Sequence, residues 1–375
     1  MRRVEEILAL CAAGVRAPGQ TIRNEMERTG KKAVGCMLEF CPEEIVYAAG
    51  MLPVGLWGAA VELREVKRYF PAFFCAPIQQ SLELALRGAY DGTLSAVIVP
   101  ILCDALKSAG QNWRIAVPQI PMIPIVYPQN RQIEAGKRFL ASELQEVRAR
   151  MEQVCGHAIG EEALAAAIDG YNDYRAAMRE FAEEAPHHAD VITPPARHSV
   201  FMNGFFRDKK DYTALVRELT AELKKLPEVK PRRAVALTGI AIDSERLLDC
   251  LEENGLTVTA DTLAQESGQI DTPVPEGGDA ISRLAAWWSD VRFSSLALDE
   301  KKKRADRMAA LVRAGRADGV IAAMPAFCDP EEYDYPILRE KFEEHGIAQI
   351  ALELNDRSSC EQACSRIQAF AELLG

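Results

Sequence analysis

Eight short apolar runs, each followed by turn residues or a helix start, most narrow what this chain can fold into. Four lie in the first 130 residues: Ala33–Phe40, Leu52–Gly58, Ala96–Leu102 and the proline-punctuated Ile115–Tyr127. Four more follow residue 230: Arg233–Gly239, Leu256–Asp261, Gly319–Met324 and Ile347–Glu353. Most of these runs do not alternate apolar with polar residues, so they suit strands buried on both faces. Between them, apolar positions recur at helical spacing, as in 76–90 and in the charged stretch 300–316. Strands that alternate with helices predict parallel sheets of the α/β class.

The two sets of runs are separated by a different kind of sequence. Residues 131–225 read as long amphipathic helices, for example 161–185 and 211–226, around a loop at 186–198. Residues 1–30 read as helix, and further helices are expected after Pro42, from about Asp243 and at the C-terminus. The expected organisation is two Rossmann-like parallel-sheet domains with a helical connection between them. The boundaries are 1–135, 136–230 and 231–375, and 375 residues suffice for that plan.

The formal net charge of −11 disfavours polyphosphate, so no nucleic-acid partner is expected. An anionic ligand would need a local basic patch. Arg64, Lys67 and Arg68 are the candidate, whereas Lys301 to Arg304 reads as a solvated helix face. No apolar run approaches the roughly 20 residues that span a bilayer. Glu5 and Glu6 break the N-terminal segment, which therefore reads as an amphipathic helix and not as a signal peptide. A cytoplasmic location follows as the expectation, with the ten cysteines reduced and available as ligands. Five histidines leave little from which to build a zinc site.

Three apolar strands run into a cysteine and then an acidic helix start: Cys41 before Pro42-Glu43-Glu44, Cys103 before Asp104, and Cys328 before Asp329-Pro330-Glu331-Glu332. Open parallel sheets bind ligands outside the carboxyl ends of their strands, where a cysteine is well placed to hold a metal cluster. Against this, a free cysteine often serves as a small buried hydrophobe. No C-x-x-C pair exists, so any such site must be assembled from cysteines distant in sequence. Cys360 and Cys364 share a helix face and read as packed residues. Cys11, Cys155 and Cys250 read as core or surface positions of helices, and Cys36 as strand core. Trp57, Trp113, Trp287 and Trp288 read as core or interface residues. The glycine-rich dinucleotide fingerprint, the phosphate-binding P-loop and the nucleophile elbow are all absent. Glu43, Glu44 and Asp104 are candidate acids or bases, although helix-start carboxylates also stabilise the helix dipole.

Longer stretches carry a resemblance. They are Pro42 to Gly58 (PEEIVYAAGMLPVGLWG), Phe74-Cys75 with Gln79-Gln80-Ser81-Leu82-Glu83, and Leu102 to Lys107 with Gln111-Asn112-Trp113. Tyr127 to Arg131, Ala260-Asp261 with Gln265-Glu266-Ser267, Phe327 to Pro336 and Arg366 to Glu372 complete the series. Through these the chain resembles, almost end to end, the β-type subunits of the 2-hydroxyacyl-CoA dehydratase family, which also includes benzoyl-CoA reductase subunits. The resemblance implies one four-iron, four-sulfur cluster per chain, held by Cys75, Cys103 and Cys328; it adds Cys75 and leaves out Cys41. It implies removal of water from an (R)-2-hydroxyacyl-CoA through a ketyl radical, with an α-type partner subunit and a transient ATP-dependent iron–sulfur activator. In that setting the chain is expected to transfer electrons and to shape a shared pocket, and Glu44 is the single candidate base. The wording QQSLE after Cys75 and CGHAI at Cys155 points to (R)-2-hydroxyglutaryl-CoA, converted to glutaconyl-CoA. Lactoyl-, phenyllactyl- and 2-hydroxyisocaproyl-CoA enzymes share most of the other motifs. The chain departs from the family pattern at Leu354-Asn355-Asp356-Arg357. Competing readings are a reductase of the benzoyl-CoA or double-cubane type, a two-domain α/β ligand-binding protein without enzymatic activity, and a zinc protein.

Overall fold

The computed structural model describes all residues except Asp243, Glu300, Asn355 and Asp356, so the expected start of one helix and part of the departing stretch lie outside the described residues. Two four-stranded parallel sheets organise the chain. The first contains β1 (Ala33–Met37), β2 (Leu52–Leu56), β3 (Leu94–Ile101) and β4 (Met122–Val126), in the order β2-β1-β3-β4. The second contains β5 (Arg233–Gly239), β6 (Leu256–Asp261), β7 (Gly319–Pro325) and β8 (Ala348–Leu354), in the order β6-β5-β7-β8. Each sheet turns one way after its first strand and the other way after its second. The carboxyl ends of β1 and β3, and of β5 and β7, are therefore topological switch points. The fold is α/β with two Rossmann-like parallel sheets, as the alternation predicts.

Local chemistry explains the strands. β1 and β2 are buried throughout, which an all-apolar run requires. Pro100 would break a central ladder, but β1 pairs with β3 only up to Ile98 and β4 accompanies it alone to Ile101. The overhang costs no hydrogen bond toward β1 and carries the chain outward to Cys103. At the end of β5, Gly239 adopts φ 125°, and a Cβ there would meet the Ala323 carbonyl oxygen of β7.

Between the sheets run helices Glu134–Cys155, Glu161–Glu184, Pro194–Asn203 and Lys209–Leu223. The N-terminal segment forms two helices, not one, because Pro18 starts a second helix after Arg2–Arg16. The expected loop at 186–198 is half helix: Thr193 caps Pro194–Asn203 by accepting from the Ala196 N–H. Helix Ala280–Asp290 lay outside the sequence reading; Trp288 on it is buried against Phe40 and Tyr127 of the first half. Cys250 and Cys364 form a disulfide between helix Glu245–Glu253 and the C-terminal helix. This departs from the reading of all ten cysteines as reduced: two helices packed face to face bring the thiols together across 114 residues. No described helix is long and apolar enough to cross a membrane.

Candidate functional site

Cys75, Cys103 and Cys328 share one structural position. Each is the N-cap of a helix: Ala76–Leu86, Asp104–Ala116 and Asp329–Glu344 respectively. The Cys103 sulfur accepts a hydrogen bond from the Leu106 N–H at 3.5 Å, whereas the Cys75 and Cys328 side chains make no capping bond. Three helix N-termini therefore present partial positive charge to the three sulfurs, which favours anionic ligand atoms. All three cysteines are free.

The thiols feel one another. Burial pushes the Cys75 thiol up to about 12, with the charge of Cys103 adding to the rise. Burial, then the charge of Glu331, then that of Cys75 hold Cys328 above the usual thiol range. Cys103 is raised mainly by burial. Three thiols of which one is buried and two half-buried, each raised by its surroundings, ionise together only if a positive group joins them. Among the described residues, no three histidine, cysteine or acidic side chains are close enough to hold a single metal ion. A set of three soft sulfur donors at helix N-termini fits an iron–sulfur cluster in chemistry and number. Cys41 does not join them; its thiol donates to the Met37 and Ile98 carbonyls at 3.6 and 3.5 Å, as a strand-end structural residue.

The family wordings around these cysteines have visible work. Gln79 donates to the Phe74 carbonyl at 2.6 Å, which fixes the residue before Cys75. Glu83, fully buried, accepts from the backbone N–H groups of Arg64 and Val66 and from Arg87. Burial alone would raise Glu83, but these donors outweigh it and keep the carboxylate ionised. The QQSLE stretch thus anchors the loop that leads to Cys75. Arg64 and Arg68 of the basic patch pair with Glu62 and Glu65 at the surface. Beside Cys328, Glu331 and Asp334 hold Arg304, and Glu332 accepts from the N–H of Phe327, which sits at φ 63°. Arg304 is therefore buried, contrary to its reading as part of a solvated face: its helix turns it onto the acidic start of Asp329–Glu344.

Glu44 is also buried, paired with Arg175 at 2.5 Å, while Glu43 meets Lys209 at 3.1 Å and the Tyr171 hydroxyl at 2.9 Å. Asp104 opens the first turn of the helix that Cys103 caps. Sequence reasoning missed Glu39. It lies just beyond β1, between Leu38 and Phe40, both at positive φ, and is buried with neither carboxylate oxygen hydrogen-bonded. The signal was a lone acid inside an apolar run at a switch point.

With this geometry in hand, comparison with known proteins is direct. Residues 39–374 match the model of the family described as 2-hydroxyglutaryl-CoA dehydratase, D-component. The (R)-phenyllactyl-CoA dehydratase beta subunit of Clostridium sporogenes is 43% identical over 96% of both chains. The lactoyl-CoA dehydratase subunit beta of Anaerotignum propionicum is 41% identical over the full length of both. The (R)-2-hydroxyglutaryl-CoA dehydratase subunit beta of Acidaminococcus fermentans is 37% identical over 96% of this chain and 97% of that one. The chain belongs to the 2-hydroxyglutaryl-CoA dehydratase D-component family and is a dehydratase subunit of the beta type.

Proposed function

We propose that the chain is the β-type subunit of an (R)-2-hydroxyacyl-CoA dehydratase and binds one [4Fe–4S] cluster through Cys75, Cys103 and Cys328. Three free cysteines, each at the start of a helix and with Cys328 feeling the charge of both others, carry this reading. When bound, such a cluster supplies one-electron chemistry and leaves one iron free of protein ligands. The chain's own residues set the three cysteines at helix N-termini, with the Leu106 N–H bonded to the Cys103 sulfur, and pin the Cys75 loop through Gln79 and Glu83. They also close the floor under Cys328 with the Arg304 ion pairs.

Exposed aromatic residues stand beside the cysteines: Phe73 is 66% exposed, Phe327 43% and Tyr333 78%. An apolar rim of this kind supports docking of the α-type partner. An ATP-dependent activator is then the transient electron donor, and the protein acts in the cytoplasm. For the acyl chain, overall identity favours phenyllactyl or lactoyl over 2-hydroxyglutaryl, since the QQSLE wording serves to hold a loop. Glu44, committed to Arg175, acts as a structural ion in this reading and not as the base.

Iron and acid-labile sulfide are to be counted on anaerobically purified protein, alone and co-expressed with an α-type subunit. About four irons per chain are expected in the wild type, with most of that iron lost in Cys328→Ser and none lost in Cys41→Ser. Iron that survives Cys328→Ser would sink the ligand assignment. Dehydration of the three CoA esters by the complete enzyme then ranks the acyl chains.

A further inference from the structure

A cleft of about 1010 Å³, lined by none of the three cysteines, opens along β6, and its size matches sites that take small organic ligands. Its back wall is the free edge of β6, which pairs with β5 and has no strand on its other side. Thr259, Ala260 and Asp261 of that edge line it. Thr259 is the extra residue of a β-bulge, since Val258 and Ala260 face consecutive residues of β5. Its hydroxyl is buried without a hydrogen-bond partner. The C-terminal turn of helix Lys303–Ala314 closes one side, and the end of helix Glu161–Glu184 closes another.

The charges in the cleft are unevenly spent. Among its acids, Asp261 is held by Arg197 and Ser267, Asp271 by Arg292, Asp318 by the Ala234 N–H, and Glu228 lies 3.9 Å from His187. Glu183 is left. Among its bases, Lys230, Arg232 and Arg316 are exposed and form no ion pair among the described residues. Arg179 spends one guanidinium nitrogen on the Ile270 carbonyl. The lining holds five Lys or Arg and five Asp or Glu, so the cleft is locally neutral in a chain with a net charge of −11, and Lys230, Arg232 and Arg316 are its cations without an ion pair among the described residues. The apolar part of the wall is supplied by Phe293, Leu311, Pro186 and Ala182.

We infer that this cleft is a second ligand site, independent of the three cysteines, for a nucleotide-sized organic phosphate. Lys230, Arg232 and Arg316 hold the phosphates. The heterocycle lies against Phe293 and bonds to the Thr259 hydroxyl and the open β6 edge.

The test is calorimetric titration of the intact wild-type protein at low salt with ADP, pyrophosphate and adenosine. It is repeated on Lys230→Ala/Arg232→Ala and on Phe293→Ala, after circular dichroism has shown that both variants are folded. ADP is expected to bind most tightly. The double variant should weaken ADP and pyrophosphate at least tenfold and leave adenosine unchanged. Phe293→Ala should weaken ADP and adenosine but not pyrophosphate. The inference is overturned if ADP does not bind at millimolar concentration, if the double variant binds it as well as the wild type, or if pyrophosphate matches ADP. Loss of iron on Cys328→Ser reports on the cluster reading alone, so the two can fail separately.

Discussion

Replacing Arg197 with methionine is expected to cost about 3–5 kcal/mol of stability at neutral pH, close to the whole margin of an ordinary domain. Arg197 is buried on helix Pro194–Asn203, and its guanidinium forks to Asp261 at the end of β6 and to Glu266 in the loop beyond. Both carboxylates are buried as well. His198 meets Glu266 at 2.8 Å, and the Phe201 ring lies 4.5 Å from the guanidinium carbon. Burial pushes Asp261 above the usual carboxylate range even with Arg197 beside it. Burial pushes Glu266 the same way, but Arg197 and His198 together outweigh it and hold that carboxyl low. Removing the arginine strands two acids that have no water to turn to, and that penalty makes the loss large. Arg197→Lys keeps the charge but cannot span both acids, so an intermediate loss is expected. Arg197→Met combined with Asp261→Asn and Glu266→Gln should recover most of the stability, because the stranded charges go too. Urea unfolding decides: a single-variant loss below about 1 kcal/mol would mean that water reaches the site.

This network shows where sequence reasoning stops. Ala260-Asp261 and Gln265-Glu266-Ser267 were legible as family wording, yet their purpose was not. Asp261 also accepts from the backbone N–H groups of Leu263 and Ser267, a local pattern, but its cation comes from 64 residues away. Glu44 finds Arg175 across 131 residues, and no periodicity encodes such a meeting. Arg304 looked solvated because it sits in a run of lysines; only the packing of its helix on Asp329–Glu344 buries it. By contrast, the strands were readable because burial on both faces leaves apolar runs. The rim cysteines Cys103 and Cys328 were readable because chain direction alone places them at switch points. Cys75 was not, since it follows a loop and no strand, and it entered through the family resemblance.

Glu39→Gln is expected to stabilise the iron-free chain at alkaline pH and to do so progressively less as pH falls. Glu39 is fully enclosed, and burial, followed by the charge of Glu331, raises its carboxyl from 4.5 to about 8; Arg304 and Ser294 pull it down by less. The unfolded chain releases this proton near the ordinary carboxylate value, whereas the folded chain keeps it until about pH 8. Below the lower value both states are protonated and stability is undiminished. Between the two values stability falls as pH rises, by about 1.4 kcal/mol per unit. Above the upper value the folded carboxylate also ionises and the loss levels off. Glutamine resembles the protonated acid at every pH, so its advantage over the wild type should grow by about 2 kcal/mol between pH 6 and pH 8. Comparing the two proteins at each pH cancels the titration of every other group. An advantage that stays constant across that window would show that Glu39 is hydrated or paired in solution. A growing one would establish a neutral, buried acid at the β1 switch point, held there by the left-handed residues Leu38 and Phe40 on either side of it. Such strain persists only where the surrounding structure enforces it, here partly through the Tyr127 hydroxyl bonded to the Phe40 carbonyl.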